Sequence, residues 1–140
     1  MTQQILVGAA VILACVIVQS AMVAASLVAL SRFGQGQHAA FSVLRVSVMI
    51  GAMTLWLMLI HATSICAWAL TYLSLGVFHD WETAVYFAAV AFTTLGFGDV
   101  IPPAEWRQLA GLCAAHGLLV FGVSSAALME AFRSAFTAPR

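Results

Sequence analysis

"AFTTLGFGDVIPP", residues 91–103, lies between two strongly apolar stretches. Gly96, Gly98 and the pair Pro102–Pro103 interrupt helices, and Asp99 is one of only five acidic residues in the chain. Of 140 residues, 64% are hydrophobic and 7% charged, and the mean hydropathy is +1.05. A water-soluble domain carries about a quarter charged residues, so the solvent implied here is a bilayer. Irregular backbone survives at membrane depth only where protein buries it or where it lines a watery path. This segment must therefore be held away from lipid.

Working outward, the flanks read as membrane spans. Residues Ile5–Leu30 carry no charged side chain, with Gln19 and Ser20 the main polar interruption. About 20 apolar residues cross a bilayer, and the leader Met1–Gln4 lacks the basic region of a cleaved signal. A retained first span is expected. "SRFGQGQH", residues 31–38, is a short polar connection. Val46–Tyr72 forms a second span and Gln108–Met129 a third, with Trp68, Tyr72 and Trp106 near their ends, where aromatic side chains favour the lipid–water interface. Between them, Glu82–Phe92 suits a helix of only about 11 residues, or about 16 Å. That is half of a ~30 Å hydrocarbon core. Asp80 is placed to cap it, with Trp81 and Glu82 in its first turn. Too short to cross, the segment enters and returns. The expected fold is an all-α membrane protein of three transmembrane helices plus a re-entrant helix and loop. Residues 1–40 form the extra helix and its linker. Residues 41–140 form the main module, with helices at 46–75, 82–93 and 107–133.

Charge orients the chain. All five basic residues are arginine. Arg32, Arg45, Arg133 and Arg140 share one side with Glu130, while Asp80, Glu82, Asp99 and Glu105 share the other with Arg107, leaving +3 and −3. The positive-inside rule puts the arginine side in the cytoplasm. The N-terminus is then outside and the C-terminus inside. Zero net charge suggests no nucleic-acid partner, and membrane lipid is the expected surrounding.

Carbonyl oxygens lining a pore can replace a cation's hydration shell. To point successive carbonyls one way, the backbone must alternate into dihedrals that glycine accepts. Gly96 and Gly98 stand at the alternate positions required, and Thr94 offers both a carbonyl and a hydroxyl. Thr94-Leu95-Gly96-Phe97-Gly98-Asp99 resembles the TVGYGD selectivity filter of potassium channels. "AVYFAAVAFTTLGFGDVIPPAEW" is similar to their pore helix, filter and outer linker, and "RQLAGLCAAHGLLVFGVSSAALMEAF" to their inner helix. The resemblance covers residues 42–134, as the two-helix pore module of small prokaryotic potassium channels, and leaves residues 1–40 outside.

That resemblance implies a homotetramer, since one chain supplies a quarter of each ion cage, in a bacterial inner membrane. Dehydrated potassium would be held by the carbonyls of Thr94, Leu95, Gly96 and Phe97 and by the Thr94 hydroxyl. Gly98 and Asp99 would form the outer mouth. Potassium is the permeant ion, and no cofactor is implied. Tyr86, Val90 and Thr93 would back the filter. Phe97 stands where tyrosine is commonest, and Val90 where some members carry a glutamate that pairs with the outer aspartate. Asp99 therefore needs another partner, and Tyr86, on the same face of the pore helix, is the donor expected.

Further residues admit two readings. Gly117 serves as a hinge of the third span or as a close-packing device. Phe121, Ser125 and Met129 form an i, i+4 stripe that lines the pore or packs against another helix. His61 and His116 lie within spans, either as pH-sensitive groups or as neutral rings hydrogen-bonded to a neighbouring helix. Cys15, Cys66 and Cys113 read as small apolar residues. No nucleophile–base pair or metal-ligand spacing argues for an enzyme. A potassium-selective channel, a weakly selective cation channel and a non-conducting channel-like subunit stay open, because Leu95 and Phe97 depart from the commonest filter.

Overall fold

The computed structural model describes residues 2–34 and 43–136. Its helices are α1 (Thr2–Gly34), α2 (Val43–Ser74), α3 (Trp81–Phe92) and α4 (Arg107–Phe136), with a 3₁₀ turn at Ala104–Trp106 leading into α4. Stretches of 25, 28 and 27 residues within α1, α2 and the turn with α4 are long and apolar enough to cross a membrane. α3, with 12 residues, reaches about 18 Å.

Each boundary has a local cause. Asp80, in extended conformation, accepts a hydrogen bond from the Thr83 amide at 2.7 Å and so caps α3 as expected. That amide bond also holds the Asp80 carboxyl below the usual carboxylate range. α2 ends where the Val77 amide reaches the Tyr72 carbonyl and the Gly76 amide reaches the Leu73 carbonyl. Gly76 sits between them at φ +68°, the left-handed position that closes a helix. Pro102–Pro103 precede the 3₁₀ turn, so α4 begins where proline permits. α1 runs through residues 31–34, which were expected in the connection. Residues 35–38 of that connection lie outside the described residues.

α3 is wedged between α2 and α4. Its Ala84, Phe87, Ala88, Val90 and Phe92 are buried, in one cluster with Trp68, Tyr72, Leu109 and Cys113. A second cluster, at the other end of the bundle, joins Met53, Leu57 and Ile60 to Met22, Val23 and Leu128. Leu6, Leu13 and Ile17 on α1 and Leu55, Met58 and Leu59 on α2 are exposed, as lipid-facing residues are.

Trp68 and Tyr72 correct an expectation. Both have 0% exposure and belong to the core, not to an interfacial belt. Trp68 donates from Nε1 to His116 Nδ1 at 3.0 Å, tying α2 to α4. Tyr72 stacks edge-on against Phe87 of α3, with ring centroids 5.2 Å apart. In lipid, apolar side chains gain little by associating, so close packing and interhelical hydrogen bonds of about 0.6 kcal/mol each decide helix contacts. His61 with Ser124, at 2.9 Å, is a second such tie. Gln19 with Ser64 is a third, joining α1 to α2.

Candidate functional site

α3 terminates by the same geometry as α2, with one exchange of residue. The Leu95 amide reaches the Val90 carbonyl at 3.0 Å, and the Thr94 amide reaches the Ala91 carbonyl at 3.0 Å. The residue at the left-handed closing position is Thr94, with φ +60°. Glycine takes that place at the end of α2 and is the usual choice. A β-branched residue there costs on the order of 1–3 kcal/mol and persists only where its surroundings impose it. Threonine adds a hydroxyl that glycine lacks.

The left-handed conformation recurs at Gly96 (φ +61°) and Gly98 (φ +78°), with Leu95 and Phe97 between. The segment thus alternates, with left-handed backbone at 94, 96 and 98. A Cβ added at Gly96 or Gly98 would meet nothing within 4 Å, so dihedral angle alone demands glycine there. Leu95 and Phe97 point outward and are 59% and 67% exposed.

The supporting contacts come from α3. Thr93 turns its hydroxyl back to the Ala89 carbonyl at 2.7 Å. Val90, buried, anchors Leu95 through its carbonyl. Tyr86 Oη donates to Asp99 Oδ2 at 2.5 Å, a short charge-assisted bond between residues that the sequence had paired. This bond is the main reason the Asp99 carboxyl sits below the usual carboxylate range. The tie persists above that range and is lost only as pH falls through the lowered value. Asp99 Oδ1 also accepts from the Val100 amide at 3.0 Å. Beside the segment, an open groove of about 350 Å³ runs between α3 and α4, lined by Phe87, Val90, Ala91, Ala110 and Ala114, with Arg107 at its edge.

Removing the hydroxyl donor tests this support: Tyr86→Phe is expected to raise backbone amide exchange across residues 95–100, and an unchanged exchange profile would dismiss this tie as a support of the segment.

α4 passes closely behind α3. A Cβ at Gly117 would lie 1.8 Å from the Phe92 carbonyl oxygen, so this glycine is a close-packing device. Below it, Phe121, Ser125 and Met129 are exposed, with the Ser125 hydroxyl turned to the Phe121 carbonyl at 2.9 Å. His61 and His116 flank the end of α3, their rings 6.3 and 5.5 Å from that of Phe92. Both are hydrogen-bonded to a neighbouring helix. Because Trp68 donates to Nδ1, His116 is neutral with its proton on Nε2. Protonation would set a second donor against Trp68 Nε1 and break the α2–α4 tie.

Residues 54–134 match the model of a family described as an ion channel. No curated protein and no solved structure is matched by the chain.

Proposed function

The chain belongs to the ion-channel family and is a multi-pass integral membrane protein, and on that premise we propose that it is a potassium-selective channel. Four copies around one axis join their 94–98 segments, and the carbonyls of Thr94, Leu95, Gly96 and Phe97 with the Thr94 hydroxyl take the place of the ion's water. The observation that carries this reading is the alternation of left-handed backbone at 94, 96 and 98, with a threonine accepted at the first of them. Assembly is supported by the exposure of Leu95 and Phe97 beside an unfilled apolar groove, since an isolated chain leaves both uncovered. Asp99 stays ionised and, with Asp80, Glu82 and Glu105, surrounds the mouth with acids that raise the local cation concentration. Transport, rather than catalysis, is the activity this family membership implies.

Flux through purified protein in liposomes, under a potassium gradient and then a sodium gradient, tests the proposal. Potassium flux well above sodium flux is expected. Equal fluxes would make it a weakly selective cation channel, and no flux a non-conducting subunit. The orientation proposed from the arginine distribution has its own test. His79→Cys, exposed beside the Asp80 cap, is expected to react with an impermeant thiol reagent from the external side only. Labelling from the cytoplasmic side would reverse the orientation.

A further inference from the structure

α1 lies outside the 54–134 family match, yet its contacts are specific. Gln4, Gly8, Cys15 and Gln19 form one buried seam along it, spaced by four, seven and four residues. Gly8 is seated where a Cβ would come within 2.5 Å of Leu112 Cδ1 and 3.3 Å of Leu109 Cδ1, so α1 lies tight on the start of α4. Gln19 donates to the Ser64 hydroxyl at mid-length. At the other end, Gln4 donates from Nε2 to the backbone carbonyl of Glu105. Gln4 is only 9% exposed, and its Oε1 has no hydrogen-bond partner.

An amide in an apolar helix is costly unless its hydrogen bonds are made. The recipient is informative. Glu105 belongs to the 3₁₀ turn that ends the return linker from Asp99, and residues 99–103 form neither helix nor strand. The linker's described ties are few: the Tyr86–Asp99 bond at its start, the Asp99–Val100 bond, the Trp106 amide to the Pro103 carbonyl and Gln4 at its end. Val100 and Trp106 pack against the main core and Pro102 is buried, but among the side-chain hydrogen bonds described only those of Tyr86 and Gln4 tie the linker to another helix, one at each end.

We propose that Gln4 is a positioning residue for conduction. By holding the Glu105 carbonyl, α1 fixes the end of the linker and thereby the height of Gly98 and Asp99 at the mouth. The inference rests on the reading of 94–98 as the conducting segment. It predicts that a helix outside the pore module governs how well the mouth recovers after potassium is withdrawn.

Full-length protein in liposomes would be compared as parent, Gln4→Leu and Gln19→Leu. The second removes an equivalent amide donor far from the linker. Two readouts are needed: potassium flux after potassium-free incubation, and backbone amide exchange across residues 100–107. Gln4→Leu is expected to lower recovery about fivefold, the loss of one modest hydrogen bond, and to raise exchange in the linker. Gln19→Leu is expected to match the parent in both. The proposal is overturned if Gln4→Leu recovers like the parent, with or without raised exchange, or if Gln19→Leu reproduces its effects, which would make α1 a general brace. A parent without flux would instead refute the conduction reading. The hold on the linker would then be judged by exchange alone, upheld if it rises in Gln4→Leu and overturned if it does not.

Discussion

Alanine at position 96 is expected to abolish potassium flux while leaving the assembled protein intact. Gly96 has φ +61°, and no atom within 4 Å obstructs a methyl there. The penalty is therefore dihedral, about 1–2 kcal/mol in each copy. The relief available is rotation of the adjacent peptide, which swings its carbonyl away from its neighbours. In the proposed tetramer the strain is applied four times, to a cage that needs all its oxygens together. Because the substitution touches no buried contact, oligomeric state by light scattering and thermal stability should match the parent. Normal conduction in Gly96→Ala would remove the 94–98 segment from the pore.

Gly117→Ala is expected to fail differently. Its methyl would lie 1.8 Å from the oxygen, 2.8 Å from the carbonyl carbon and 3.1 Å from the Cα of Phe92. All are backbone atoms of the last residue of α3, and none can swing aside as a side-chain tip would. Either α4 withdraws or the last turn of α3 is pushed out, separating Phe92 and His116 from a core in which they are 0% and 2% exposed. The cost should meet or exceed the upper end of the roughly 1–3 kcal/mol range of overpacking. We expect lower folded yield, a reduced unfolding temperature and loss of flux together. Gly111→Ala and Gly122→Ala, with open space at both positions, serve as matched controls and should be near neutral. A purely hinge-like Gly117 would instead give a stable Gly117→Ala protein with altered gating, and that outcome would displace the packing account.

The parts of this molecule governed by local rules were legible in its sequence. A half-length apolar run behind Asp80 read as a capped helix too short to cross, and α3 is that helix. Tyr86 and Asp99 were paired from helical spacing together with the resemblance to potassium channels, some of which carry a carboxylate where this chain has Val90, and their side chains meet. What could not be read depends on which helices touch. Trp68 and Tyr72 looked like interfacial aromatics because their position near a span's end suits that role, and only the wedge of α3 between α2 and α4 buries them. Gln19 looked like a mere interruption of an apolar run, and Gln4 like part of the leader before it. Their spacing around Gly8 and Cys15 was the available signal for a buried seam, but spacing alone names no partner. Thr94 was expected to contribute oxygens, yet its left-handed backbone was not foreseen. Sequence rules assign that conformation to glycine, and a threonine takes it only under the constraint of helix end and loop together.

That shared residue turns α3 into a gauge block. Thr94 closes the helix and is also the first rung of the alternating ladder, so no spacer residue separates the two. A residue added to or removed from α3 would turn everything after it by about 100° and move it by about 1.5 Å. No slack exists between helix and ladder to absorb the error, and every oxygen would leave its level at once. Between Asp80 and Thr94 the chain can therefore tolerate no change in count.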